Sequence, residues 1–256
     1  MTYLPTAADF NELFRGKIYG NYDIFTARTY ADFVRRHDID LSRAISRFDD
    51  DGLLGTIVFA LRGDRAWLAL MGVRETMRGN GFGRELLCAA LERLRGSGMR
   101  SIEFEIVQRN TPALTMVRSL GFAPVDELYV WARRPKRGAA GVLRMRTFTE
   151  NAVQRIARTP ATCWQREPRS VAAARNVALI ECEGAYAFVR ISGENAVILD
   201  AGAADAGAAA RLAEALDARI PHDLTLLNEP AGSPLSEGLA RSGWRVVERQ
   251  HRIAGA

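Results

Sequence analysis

The run Val73-Arg74-Glu75-Thr76-Met77-Arg78-Gly79-Asn80-Gly81-Phe82-Gly83 constrains this chain more than any other. It follows an apolar stretch, residues 66–71. It leads into a segment whose apolar residues Phe82, Leu86, Leu87, Ala90, Leu91 and Leu94 recur at helical spacing. The order is therefore strand, glycine-rich loop, helix. Three alternate glycines let a backbone approach a ligand with no Cβ in the way. The first turn of a helix leaves N–H groups unpaired at the positive end of its dipole, which makes an anion site. Arg78 adds a full positive charge at the loop's entrance. Two nucleotide loops are excluded by spacing. A dinucleotide fingerprint needs its third glycine one residue later, where Arg84 stands, and a P-loop needs a lysine that the run lacks.

The flanks supply the rest of a sheet. Residues 53–61 and 66–71 read as a hairpin about the Arg62-Gly63-Asp64 turn. The segment before them, to about Arg47, reads as polar helix. Gly96 and Gly98 end the loop's helix. Ile102, Phe104 and Ile106 alternate along a strand, 101–107; Asn110 opens a further helix that closes at Gly121, and a last strand covers 128–132. The second half follows the same order more weakly: strands at 177–182, 185–191 and 196–199, a helix at 207–218, a strand at 224–227. Asn228-Glu229-Pro230-Ala231 then matches Asn110-Thr111-Pro112-Ala113, and Arg241-Ser242-Gly243-Trp244 matches Arg118-Ser119-Leu120-Gly121-Phe122. This is an internal repeat of about 120 residues. The basic, proline-broken stretch 133–141 reads as the connector. The expected division is a first domain over 1–134, a linker over 135–142 and a second domain over 143–256.

Composition narrows the function. A chain of 256 residues with 48% hydrophobic and 25% charged residues is an ordinary globule of one large or two modest domains. No apolar run is long enough to span a bilayer, and the first ten residues do not read as a secretory signal. Net charge is +5, and all basic residues but Lys17 and Lys136 are arginines. Charge of this size does not by itself imply nucleic acid. Cys88, Cys163 and Cys182 are isolated, and His37, His222 and His251 are scattered, so no metal site is expected and a cytoplasmic setting is.

The pattern Arg-x-x-Gly-x-Gly, with the Asn110, Ala113, Gly121, Phe122 spacing behind it, resembles the GNAT superfamily of acetyl-CoA-dependent N-acetyltransferases over roughly residues 40–132. In that family the loop follows the fourth strand, the position that residues 66–71 would occupy. The resemblance implies an α/β fold of α and β layers. Its mixed, mostly antiparallel central sheet is flanked by helices, and a second, smaller and degenerate copy follows. It implies acetyl-CoA as co-substrate, no metal, and direct attack by an amine, on a small molecule or a peptide, in a ternary complex. It places the pantetheine arm beside Met71, Gly72 and Val73, the pyrophosphate on Arg78, Gly79, Asn80, Gly81, Phe82 and Gly83, and the arm's thiol end near Asn110. A monomer or homodimer is expected, with neither nucleic acid nor membrane as partner.

Two roles are unfilled at their usual places. The family's proton-donating tyrosine falls on Val117, and the strand before the loop carries no acid to serve as base. Glu103 and Glu105, on one face of their strand, and Tyr129 are the substitutes. Tyr19, Tyr22, Arg28 and Tyr30 are the expected acceptor contacts. The second copy has Ala201–Ala210 in place of the loop, with Asp205 where a phosphate would lie, so CoA binding is not expected there. The competing reading is a non-catalytic acyl-CoA-binding or regulatory module.

Overall fold

The computed structural model describes residues 3–15, 23–134, 143–157, 163–192 and 195–255. Packing divides the chain into two units, Met1–Val125 with Arg252–Ala256, and Asp126–His251. The division falls inside a strand, whereas the sequence placed the connector at 135–142, which lies outside the described residues.

The first unit opens with helices α1 (Ala7–Phe14) and α2 (Ala27–Arg36), each started by a threonine capping box, Thr6 with Asp9 and Thr26 with Thr29. Strands β1 (Ile45–Asp49), β2 (Gly52–Arg62) and β3 (Arg65–Val73) follow, then α3 (Phe82–Gly96), β4 (Ser101–Val107), α4 (Thr111–Ser119) and the first residues of β5 (Ala123–Arg133). β1, β2 and β3 pair antiparallel, and β3 pairs parallel with β4. Residues 45–47 are therefore strand, not the helix expected from their polarity. β1 is a short edge strand, held by its ladder and by a 2.8 Å Ser46–Thr56 hydroxyl bond, with little alternation to betray it. Among the described residues, the glycine loop follows the third strand rather than the fourth. The expected apolar stripe of α3 and the alternating residues of β4 do meet. Leu86, Leu87, Ala90, Leu91 and Leu94 pack with Ile57, Phe59, Ile102, Phe104 and Ile106, joined by Leu114, Val117 and Ile253.

The second unit takes in most of β5, then β6 (Met145–Arg146), α5 (Glu150–Ile156), α6 (Pro168–Ala172), β7 (Val177–Cys182), β8 (Ala185–Ser192), β9 (Asn195–Ala203), α7 (Ala206–Arg219), β10 (Asp223–Pro230), α8 (Pro234–Arg241) and most of β11 (Arg245–Gly255). Among the described residues, β5-β10-β9-β8-β7-β6 lie in that order, with β10 and β9 parallel and the other neighbours antiparallel.

The two units share local details. In the first unit the β2–β3 register skips one residue, Ala69; in the second the β8–β9 register skips one, Leu199. The parallel pairing stops after Trp67↔Glu103 in one and after Ile198↔Leu226 in the other. The matched Arg-Ser-Gly motifs end helices in the same way: Phe122 N–H donates to the Val117 carbonyl, and Trp244 N–H to the Leu239 carbonyl, each at 3.1 Å. One matched motif separates. Asn110 caps α4, but Asn228 lies within β10, and the corresponding helix starts later, capped by Ser233.

Candidate active site

The site begins where β3 and β4 part. Only three residue pairs, Arg65↔Ser101, Ala66↔Ile102 and Trp67↔Glu103, join them, yet β3 continues to Val73 and β4 to Val107. The extra residue at Ala69 bends β3 at that point. The facing backbone edges beyond Trp67 and Glu103 carry no ladder. Gly72 is pinned from the opposite side: a Cβ there would lie 2.6 Å from Leu13 Cβ of α1. Met71 and Val73 instead reach the Gly83 side, each with a carbon 3.7 Å from a Cβ built on that glycine.

The loop closes the splay. Gly79 and Gly81 have φ of +82° and +83°, the left-handed region that favours glycine, and no atom lies within 4 Å of a Cβ at either position. Gly81 is the N-cap of α3 and supplies no side-chain bond to it. Among the described residues, the amides of Gly79, Asn80, Gly81, Phe82 and Gly83 donate no backbone hydrogen bond. The start of α3 thus presents open donors around an uncapped, exposed helix end. Phe82 packs its ring over Gly55 of β2.

Arg78 has a structural task that its sequence position did not show. Its Nε donates to the Val73 carbonyl at 3.0 Å, and its Nη2 to the carbonyls of Leu13 at 2.7 Å and Arg15 at 3.0 Å. It ties the end of α1 to the root of the loop and holds its charge there. Asn110 accepts from the Ala113 amide at 3.3 Å as the α4 N-cap.

The remaining residues separate by environment. Val117, at the family's tyrosine position, is 1% exposed within the core. Glu103 is buried between Arg65 at 2.6 Å and Arg252 at 3.4 Å, so its oxygens are engaged by two guanidinium groups. Glu105 lies two residues past the last β3–β4 pair, half-buried, and accepts the Trp67 indole N–H at 2.9 Å. Trp67 is fixed by an edge contact with His37, which the sequence named only as one of three scattered histidines, and by Phe33, which it did not name. Tyr129 belongs to the second unit, where the Arg249 guanidinium sits 5.0 Å from its ring centroid. Tyr30 is a core residue: its hydroxyl donates to the Pro5 carbonyl at 2.9 Å and its ring contacts Phe10 and Phe25, while burial pushes its pKa above the ordinary tyrosine value. Arg28 is exposed on α2. Tyr19 and Tyr22 lie outside the described residues.

The second unit departs from this arrangement. Only Ala204 and Asp205 join β9 to α7, and the Asp205 carboxylate caps that helix by accepting from the Ala208 amide at 2.7 Å. The donors left open in α3 are thus partly filled in α7, and by a negative group. In addition, Arg166 bridges the parted strands, donating to the Ala201 carbonyl of β9 at 2.5 Å and the Asn228 carbonyl of β10 at 3.3 Å.

No group of three or more His, Cys, Asp or Glu able to hold a metal occurs among the described residues, and no helix there is long and apolar enough to cross a membrane. No curated protein matches the chain. Solved structures do. A GCN5-related N-acetyltransferase from Sphaerobacter thermophilus is 16% identical with a TM-score of 0.64, covering 91% of this chain and 86% of its own. A putative acetyltransferase from Pyrococcus horikoshii is 15% identical with a TM-score of 0.66, covering 99% and 88%. One from Thermoplasma acidophilum is 14% identical with a TM-score of 0.59, covering 95% and 92%. At these identities the likeness is one of fold, and it extends over both units. The sequence profile of the Acetyltransferase (GNAT) family matches residues 9–122, the stretch that contains the splayed strands, the loop and the start of α3. The chain therefore carries, over those residues, an acetyltransferase domain of the GNAT family.

Proposed function

We propose that the first unit transfers an acetyl group from acetyl-CoA to an amine, by direct attack within a ternary complex. The observation that carries this reading is the set of open amides at Gly79–Gly83, at an uncapped helix end beside two strands whose pairing has stopped. A diphosphate matches those donors in charge and number. The gap between β3 and β4 would take the pantetheine arm, with Met71, Gly72 and Val73 along one side and Asn110 near its far end. A β3 amide in the gap would stabilise the oxyanion that forms when the amine attacks the thioester carbonyl.

Glu105 is the base in this reading. Its carboxylate, two residues past the last β3–β4 pair, is oriented by Trp67, whereas Glu103 is held by two arginines. It would take a proton from the ammonium form of the acceptor before attack. With Val117 buried at the tyrosine position, the departing thiolate is protonated by water. The second unit reads as a degenerate tandem copy that does not bind CoA, for Asp205 and Arg166 occupy the places that CoA would need.

A release assay tests the reading. Free CoA thiol is followed with acetyl-CoA and a panel of primary amines, small and peptidic, and Glu105→Gln is compared with the native chain. Amine-dependent release that falls in the variant, with CoA affinity retained, supports the proposal. CoA binding with no release for any amine favours the alternative, a non-catalytic acyl-CoA-binding module. The buried Val117 is the observation that favours that alternative.

A further inference from the structure

The indole that orients Glu105 is itself held by the end of α2. We propose that His37 is a positioning residue for acetyl transfer: with Phe33 it clamps the Trp67 ring, so that the indole N–H stays on the Glu105 carboxylate. This inference rests on the reading of Glu105 as the base.

Trp67 and His37 are both buried, and their ring centroids lie 5.5 Å apart at 68°. Phe33 completes a triangle, 6.0 Å from Trp67 and 4.9 Å from His37. Edge and tilted contacts between rings have a preferred geometry, so they fix how a ring is turned as well as filling space. That matters for an indole, which carries one donor on one edge. Turned about its side-chain torsion, Trp67 would carry its N–H away from β4. Held as it is, it gives a 2.9 Å bond from the last paired residue of β3 to a carboxylate two residues past the pairing on β4.

The end of α2 is fastened where the clamp needs it. His37 is the C-cap of α2, and Asp38 follows at φ +58°, a left-handed position that helix ends usually give to glycine. The Ile39 N–H closes the turn onto the Val34 carbonyl at 3.0 Å. The Asp38 carboxylate accepts from Arg62 of β2, Nε at 3.0 Å and Nη2 at 2.9 Å. Glycine would close this helix with less strain, but only the aspartate ties it to the sheet. Ile39 then bridges to Ala60 of β2, and Ala60 is the β2–β3 partner of Trp67. The register thus delivers His37 to the indole, and the strained residue sits next to it, as strain does beside functional groups.

Nitrogen-15 spectra of the full-length chain read the clamp without any acceptor; the Trp67 indole resonance is the one lost in Trp67→Phe. His37→Leu removes the ring at similar volume. It is expected to speed solvent exchange of that indole proton and to lower kcat by roughly 10- to 100-fold, with KM for acetyl-CoA unchanged. His37→Phe, which restores a ring, is expected to recover most of both. In a Glu105→Gln background His37→Leu should cost nothing further, because its effect passes through that carboxylate. Activity is read with acetyl-CoA and the panel amine that the native chain acetylates fastest. Indole exchange unchanged in folded His37→Leu, no recovery in folded His37→Phe, or a further loss in the Glu105→Gln background overturns the proposal. Should His37→Leu not fold, Asp38→Asn keeps a residue tolerant of the left-handed region and drops the charge on Arg62. It is expected to move the same readouts in the same direction, and unchanged values overturn the proposal. Glu105→Gln as fast as the native chain refutes the base itself. A slow Glu105→Gln with a fast His37→Leu refutes the positioning role alone, so the two proposals fail separately.

Discussion

Gly81→Asp and Gly81→Asn form a matched pair that isolates charge at the α3 N-terminus. At φ +83° either side chain meets the same backbone strain, and the Cβ position is open, so neither adds a clash. That strain costs about 1–2 kcal/mol, and Asn and Asp tolerate the region better than most residues. For a unit of this size the loss lowers Tm by roughly 4–7 °C, equally in both variants. Only the carboxylate separates them. At ~4 Å, two unit charges repel by about 1 kcal/mol in water and by about 4 kcal/mol at an effective dielectric constant of 20. The loop is exposed, which favours the lower end. Against the two charges of a diphosphate this gives about 2–4 kcal/mol, or roughly 30- to 700-fold in Kd. Calorimetry at low salt reads the difference. CoA should bind the Asp variant more weakly than the Asn variant by that factor, and added salt should narrow the gap. Acetyl-pantetheine, which lacks the diphosphate, should bind both alike. Equal CoA affinities for the two variants would refute the placement of the diphosphate.

Four further outcomes are expected. Gly72→Ala forces a Cβ against Leu13 and should destabilise the first unit by about 1–3 kcal/mol in urea unfolding, whereas Gly83→Ala makes only ordinary 3.7 Å contacts and should not. Glu105→Gln should lower kcat by about 10²–10⁴-fold with CoA affinity unchanged; Trp67→Phe, which keeps the ring and loses the donor, should lower kcat by less. Arg78→Lys should not restore the α1 tether, because an ammonium cannot reproduce the forked bonds to Val73, Leu13 and Arg15, and native-state hydrogen exchange should show α1 loosened. Burial raises the Asp200 carboxyl above the usual range, against the pull of Arg166 and Tyr186. The folded state therefore holds that proton more tightly than the unfolded one. Its contribution to stability is fully present below the unfolded pKa and is lost as pH rises through the raised value. Asp200→Asn should remove that component from a pH series of urea midpoints.

The parts of the fold legible in sequence were those with a strong local cause. The loop was marked by glycines at Gly79 and Gly81, the helix by the Leu86–Leu94 stripe, and two further helix ends by Gly121 and Gly243. The bulges at Ala69 and Leu199 bend the strands, yet neither residue type announces an extra position in a ladder, so the splays had to be seen. β11 escaped notice because residues 245–252 are polar at most positions, and β1 because an edge strand needs little apolar alternation. Tyr30 read as an acceptor contact because its partners, Pro5, Phe10 and Phe25, are supplied by the fold rather than by its neighbours in sequence. Arg166 gave no sign of its importance. Its partners lie 34 and 63 positions away, and only the meeting of β9 and β10 brings them to it.

The central claim is that the amides of Gly79–Gly83 receive the diphosphate of CoA. Amide proton–nitrogen spectra of the labelled chain, recorded as CoA is added, measure it at the atoms concerned. The account predicts that these five resonances shift together and saturate with CoA, while Ala206–Ala208 at the start of α7 stay fixed. Saturable CoA binding that leaves residues 79–83 unmoved would contradict it.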